Sequence, residues 1–150
     1  MEDLKIRVRR GVGGDELFCL IRKRFIVATP EEFVRQKTII ELVRLGYSPL
    51  QIGIEIGFTI AGGKQLRADL VVYDSSAKPL ILVECKARDI VITQEVFRQA
   101  SKYNAHFRAR YILLTNSAQS LLFETTDFVD YCRVEFQFII HNFRSTAVET

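Results

Sequence analysis

Three residues in this sequence have the types and spacing to do chemistry together: Asp69, Glu84 and Lys86. Asp69 lies in RADLVVYD and the other two in PLILVECK, apolar runs of strand character joined by Asp74, Ser75, Ser76, Ala77 and Lys78, which favour a turn. With the turn centred between Ser76 and Ala77, antiparallel pairing sets Asp69 opposite Glu84, with Cβ atoms about 4.5–5.5 Å apart. Lys86, two residues beyond Glu84, falls on the same face. Leu80 and Leu82 share that face and Ile81, Val83, Cys85 and Ala87 fill the other, so this strand reads as buried on both sides. Ionised groups at its end cost several kcal/mol each to desolvate unless a partner or a metal offsets the cost. The plain alternative is a Glu–Lys pair emerging into solvent, with Asp69 exposed beside it.

The flanking chain supplies elements that would hold this hairpin. Thr29, Pro30, Glu31 and Glu32 form a helix start, with Thr29 as N-cap and Pro30 at the first position. The helix is expected to run to about Leu45 and to stop at Gly46, with Phe33, Ile39 or Ile40, Leu42 and Val43 as its apolar face. Glu32 has two readings of equal weight: an acid reaching the hairpin, or a capping-box carboxylate bonded back to the Thr29 amide. Residues 51–60 alternate as a strand and turn through Ala61, Gly62, Gly63 and Lys64 into the central hairpin. A second helix is expected from about Thr93 to Phe107, with Arg98 and Lys102 on one flank and Gln99 and Tyr103 on another. Residues 110–114 read as an apolar strand, and Cys132, Val134, Phe136 and Phe138 as a half-buried edge strand.

Residues 1–16 mix charges with Gly11, Gly13 and Gly14 and read as a flexible arm; residues 17–27 read as a short extended segment with a basic patch at Arg22, Lys23 and Arg24. Neither GVGG nor Gly62-Gly63-Lys64 is completed into a phosphate-binding loop. The 150 residues suit one domain, and 48% apolar residues suffice for a core. A net charge of +3 permits a polyanionic partner if Lys and Arg gather on one face. Cys19, Cys85 and Cys132 form no CxxC pair, which disfavours a disulfide framework or zinc site and suits a cytoplasmic setting. No apolar run is long enough to span a bilayer, so no membrane association is expected.

Asp69 in one strand, Glu84-Cys85-Lys86 in the next and Gln99-Ala100-Ser101-Lys102-Tyr103 in the following helix resemble the PD-(D/E)XK nuclease superfamily. Within it the chain resembles the QxxxY-bearing group that includes the N-terminal nuclease domain of type I restriction endonuclease R subunits. TPEEFVRQ, RADLVVYD, PLILVECKA and ITQEVFRQASKYN look like short stand-alone relatives of that domain. Ala68 stands where the superfamily's name has Pro, at a position that tolerates variation. The resemblance implies an α/β (α+β) fold with a restriction-endonuclease-like core, a mixed β-sheet flanked by helices in the order α-β-β-β-α-β, with an added C-terminal strand. Its core would span about residues 29–116.

The resemblance implies a metal-dependent nuclease hydrolysing DNA, in restriction or in repair. Asp69, Glu84 and the Cys85 backbone carbonyl would hold Mg²⁺ or Mn²⁺, both of which accept hard oxygen ligands. Lys86 would act on the attacking water, Gln99 and Tyr103 would orient it, Lys86 or a phosphate, and Glu32 would complete the surroundings of the metal. Arg35, Arg67, Arg98 and Lys102 would contact DNA phosphates if they rim one cleft. The chain carries no Walker A motif, so it would act alone, as a homodimer or larger oligomer, or beside a separately encoded motor or specificity subunit. Two alternatives remain: a non-catalytic nucleic-acid-binding or interaction module on the same fold, and an unrelated α/β domain using a metal for stability. Metal binding measured with and without cleavage separates the three.

Overall fold

The computed structural model describes residues 4–135. Its element order is β1 (Val8–Gly11), β2 (Gly14–Cys19), β3 (Arg24–Val27), α1 (Pro30–Arg44), β4 (Ile52–Thr59), β5 (Gln65–Tyr73), β6 (Pro79–Cys85), α2 (Gln94–Phe107), β7 (Tyr111–Thr115), β8 (Ser120–Glu124) and β9 (Cys132–Val134). Strands β4 to β9 form one six-stranded sheet in chain order, antiparallel except where β6 runs parallel to β7. That parallel pair needs a crossover, and α2 provides it.

The two helices cover opposite faces. Val34, Ile39 and Leu42 of α1 pack with Leu70, Val72, Ile81 and Val83. Ala100 and Phe107 of α2 pack with Val71, Leu82, Ile112 and Leu114 on the other side. The central strands are thus apolar on both faces, and the buried alternation Ile81, Leu82, Val83 follows from that. Thr29 caps α1, its Oγ1 accepting the Glu32 N–H at 3.1 Å, and Gly46 follows the C-cap Leu45 at φ +113°. Phe33, expected on the apolar face of α1, is exposed, and Val34 takes that role one residue on.

The first sixteen residues are not a flexible arm where they are described. Val8–Gly11 and Gly14–Cys19 pair as a hairpin closed by Val12 and Gly13, and β3 adds to it as a third antiparallel strand. The glycines that read as disorder make the tight turn, with Gly14 at φ +125°. Leu17 and Cys19 are fully buried, and β2 packs against α1. Strand β8 falls where the sequence pattern weakens; its pairing with β7, Leu113↔Leu122 and Leu114↔Leu121, is what orders it. β9 forms the sheet edge beside β8, while the expected continuation through Phe136 and Phe138 lies outside the described residues.

Along β4 and β5 the inside–outside alternation breaks at one place. Ile54 and Leu70 pack with the α1-side core, whereas Ile56 and Ala68, two residues away on each strand, pack with the α2-side core. Residues two apart on a regular strand share a face, so both strands turn over at the intervening pair, Glu55 and Asp69. Glu55 has φ +51°, a left-handed conformation that a residue with a side chain rarely adopts. Beyond this point the hairpin curls over α2, where Phe58 stacks edge-on against Phe107 at 4.9 Å.

Candidate active site

β5 and β6 pair Leu70↔Val83, Val71↔Leu82 and Val72↔Ile81. The same register carried one residue further sets Asp69 opposite Glu84, the pairing expected from a turn centred between Ser76 and Ala77. β4 and β5 pair Ile54↔Leu70 and Ile56↔Ala68, which leaves Glu55 opposite Asp69 on the other side. Three acids, Glu55, Asp69 and Glu84, therefore form one row across three neighbouring strands, at the point where the sheet faces exchange.

Asp69 is held by two donors. Its Oδ2 accepts the Cys85 backbone N–H at 2.8 Å and its Oδ1 accepts Arg35 Nη2 at 3.0 Å. Glu84 is pushed up to about 8, chiefly by burial, then by the Asp69 charge and by the hydrogen bond the two carboxyls share; the Lys86 ammonium opposes the shift. Among the described residues Glu84 Oε1 is buried without a hydrogen-bond partner. Two facing carboxyls, one of them protonated near neutral pH, are what mutual repulsion in a poorly solvated place produces.

Arg35 sits inside the site and not on a rim. Its side chain is 8% exposed, Nη1 donates to Glu32 Oε2 at 2.6 Å, and the same nitrogen lies 3.6 Å from Glu55 Oε1. Burial pulls its pKa down, but Glu32 and Asp69 outweigh that and raise it, so the guanidinium is fixed as a cation. Its two terminal nitrogens bond Glu32 and Asp69, and among the described residues its buried Nε has no hydrogen-bond partner, so Arg35 stands among the acids and not on an exposed rim where a phosphate contact was expected. Glu32 does not close a capping box. Its Oε1 accepts Gln36 Nε2 at 3.0 Å and its Oε2 takes Arg35, so it joins the site by holding the arginine that holds Asp69.

Sequence reasoning missed Glu55, Arg22 and Glu31. Arg22 Nη2 donates to Glu55 Oε2 at 2.7 Å and its Nη1 lies 4.0 Å from Glu32 Oε1, tying the β2–β3 turn to the site. The Glu31 carboxyl is raised by burial and by Asp69, with Arg35 and Lys86 opposing, which sets it in the field of the same cluster. Glu55 had a usable signal, because a hairpin folded about Gly62 pairs position 55 with 69. Arg22 had none, since its contact depends on how the small sheet docks.

Lys86 is half-buried, and its N–H donates to the Thr115 carbonyl at 2.9 Å. Among the described residues its ammonium makes no side-chain hydrogen bond, and it acts on Glu84 and Glu31 through space. Gln99 is exposed on α2, and Tyr103 is half-buried against the α2-side core; among the described residues neither bonds to the acids. Arg67 approaches Glu55 at 3.8 Å but is otherwise exposed, Arg98 pairs with Glu95 at 3.3 Å, and Lys102 is exposed. The Cys85 thiol lies in the α1-side core, held well above its usual range by burial first and the Asp69 charge second.

The donor set fits a hard divalent cation. It offers two facing carboxylates, and a buried Glu84 oxygen lacks a partner among the described residues. Among the described residues no group of three or more His, Cys, Asp and Glu side chains is arranged to hold a metal, so the protein would supply two carboxylates and backbone oxygen, with water completing the shell.

A mixed sheet between two helices, carrying its acids on a hairpin that leads into a helix and a parallel strand, defines a restriction-endonuclease-like α/β domain. Residues 30–139 match the family described as type I restriction enzyme R protein N terminus (HSDR_N), and the chain belongs to that family. In structure it is similar to a fragment of a protein assigned as the HsdR subunit of a type I restriction enzyme from Vibrio vulnificus YJ016, with a TM-score of 0.55 and 19% identity over 71% of this chain. The chain covers 23% of that protein's chain. No curated protein matches it in sequence. No helix among the described residues is long and apolar enough to cross a membrane.

Proposed function

We propose that this protein is a metal-dependent nuclease that hydrolyses DNA phosphodiester bonds, in restriction or in DNA repair. The observation that carries the reading is the facing pair Asp69 and Glu84, with a buried Glu84 oxygen that has no partner among the described residues and Lys86 left without a side-chain bond to them. A binding module gains nothing from two carboxylates turned toward a phosphate.

Asp69, Glu84 and the Cys85 carbonyl would hold Mg²⁺ or Mn²⁺. Such a cation would supply charge against the phosphate and a lowered pKa for bound water, so that hydroxide is available near neutral pH. The Cys85 amide fixes one Asp69 oxygen and Arg35 the other, so the aspartate needs little reorganisation. Glu32 holds Arg35 in turn, and Gln36 holds Glu32. Lys86 orients the attacking water and stabilises charge developing on the phosphate. Gln99 and Tyr103, which make no bond to the acids here, would be drawn to the water or to a DNA phosphate once substrate is bound. Association with a separately encoded motor or specificity subunit, or with a second copy, belongs to the same reading.

The test is cleavage of a panel of duplex, single-stranded and RNA substrates with Mg²⁺, Mn²⁺ or EDTA, using wild type and Lys86→Ala. Lys86 acts chiefly in the transition state, so Lys86→Ala should lose cleavage and keep metal and DNA binding. Wild-type cleavage by Lys86→Ala, or no metal-dependent cleavage of any substrate by wild type, would end the enzyme reading in favour of a binding module.

A further inference from the structure

The three-stranded sheet β1–β3 lies outside the family match, which begins at residue 30, and the site described above uses only its turn residue Arg22. It also holds the chain's excess positive charge. Residues 4–27 carry seven Lys or Arg against two acids, whereas residues 28–150 carry fourteen of each. The mild net charge thus hides a strong local one, of the kind that attracts a polyanion.

Register assigns the charges to faces. Leu17 and Cys19 turn inward and are fully buried. Arg9↔Glu16, Glu16↔Val27 and Phe18↔Phe25 are partners across the three strands and share the outer face, where Val27 is exposed. Arg7 continues that face, its carbonyl accepting the Phe18 N–H at 2.9 Å. Two guanidinium groups sit over the aromatic rings there: Arg7 4.4 Å from the Phe18 centroid and Arg9 3.9 Å from that of Phe25. A guanidinium held over a ring loses freedom to it and keeps N–H groups for an oxygen acceptor, so little further ordering is needed to bind phosphate. Arg9 shares its charge with Glu16 at 2.8 Å, but among the described residues Arg7, Arg10, Lys23 and Arg24 have no ion-pair partner.

We propose that the outer face of the β1–β3 sheet, through Arg7 and Arg9 on their Phe18–Phe25 bed, together with Lys23 and Arg24, which are exposed at the end of the sheet where β2 turns into β3 although Arg24 pairs with the inward Cys19, binds the phosphate backbone of a nucleic acid and leads it to the acid row. The turn at the end of β2 adjoins the row. The six residues of β2 extend for about 20 Å, and the turn after it holds Lys23 beside Arg22, which bonds to Glu55 of the row. The contacts are to backbone oxygens, so the face reads charge and spacing and not base sequence. This rests on the nucleic-acid part of the proposed function and not on hydrolysis. The aromatic rings lie beneath arginines, which favours phosphate contact over base stacking.

The test is fluorescence-anisotropy binding of the whole chain to a labelled 20-base-pair duplex and to its single strand, in EDTA, from 50 to 300 mM NaCl. Arg7→Gln/Arg9→Gln and, separately, Lys23→Gln/Arg24→Gln should each flatten the slope of log K against log[salt] by about two, near one per lost phosphate contact. Arg7→Lys/Arg9→Lys keeps the charge and should keep most of the slope. Thermal melts identify any variant that has unfolded; the Lys23→Gln/Arg24→Gln pair alters only exposed side chains and serves if the arginine pair does not fold. Flattening on both nucleic acids, or on one, supports the proposal and tells which form the face prefers. Unchanged slopes in both glutamine doubles, no binding by wild type, or equal displacement by poly-glutamate would overturn it, the last assigning the face to acidic protein. Cleavage with Mg²⁺ is scored separately: loss of salt slope without cleavage in wild type leaves the platform standing and removes the nuclease, and cleavage with unchanged slopes does the reverse.

Discussion

Arg35→Ala is the perturbation that most directly probes how the site is held. Arg35 is nearly buried and bonds Glu32 at 2.6 Å and Asp69 at 3.0 Å, with Glu55 at 3.6 Å. Its loss leaves Asp69 without its bonded cation and Glu32 with only Arg22 at 4.0 Å, in a largely buried place. Removing one member of such a buried pair costs about 3–5 kcal/mol, a large share of the roughly 5–15 kcal/mol that holds a domain together. Urea unfolding at pH 7 in EDTA should therefore show Arg35→Ala less stable by about 3 kcal/mol or more. A divalent cation can restore the missing charge only if the Asp69–Glu84 pair takes it. Saturating Mg²⁺ should recover part of the loss in Arg35→Ala and none in Arg35→Ala/Asp69→Asn. A loss under about 1 kcal/mol would mean that the arginine is not the counter-charge of the cluster, and equal Mg²⁺ rescue of both variants would refute the link to Asp69.

Three further outcomes follow from the geometry. Glu84 is raised to about 8 from an ordinary 4.5, so its favourable contribution to folding is complete below about pH 4.5 and is lost as pH rises through 8; in EDTA wild type should lose up to roughly 3 kcal/mol between pH 4.5 and 7 relative to Glu84→Gln, and parallel pH–stability curves would contradict the assigned shift. Calorimetric Mn²⁺ titration should show weaker binding in both Asp69→Asn and Glu84→Gln, and wild-type affinity in either would argue against a shared cation. Glu55 has φ +51° in mid-strand, where glycine rests without strain, so Glu55→Gly should be more stable than Glu55→Ala by about 1 kcal/mol; the reverse order in chemical denaturation would show that the backbone relaxes there.

Much of the site was legible because it is local. A hairpin converts spacing into partnership, so the turn between Asp74 and Lys78 sets Asp69 opposite Glu84, and the Thr29 and Thr93 caps with Gly46 bound both helices to within a residue or so. The same arithmetic about Gly62 would have added Glu55 to the row. Gln99 and Tyr103 were read from a resemblance, and the geometry leaves their part to the substrate complex. The glycines at 11, 13 and 14 misled because a flexible linker and a tight hairpin use the same residue, and only the burial of Leu17 and Cys19 against α1 distinguishes them.

What the sequence by itself determined is thus the set of contacts that lie within one turn or one hairpin: the facing acids, the capped helices and the order of the central strands. What only the tertiary structure decided is where long side chains end. Arg35 read as a rim cation because a guanidinium on a helix carries no label for direction, yet α1 lies across the sheet so that its reach ends on Asp69. Arg22 and Glu55 are 33 residues apart and meet because the β1–β3 sheet docks beside α1. The even balance of charge after residue 27 could be counted in advance, but its meaning came with the fold, which lays Arg7 and Arg9 on two phenylalanines of one outer face. Charges act through space, and the distances between residues far apart in the chain are set by packing, which no local pattern encodes.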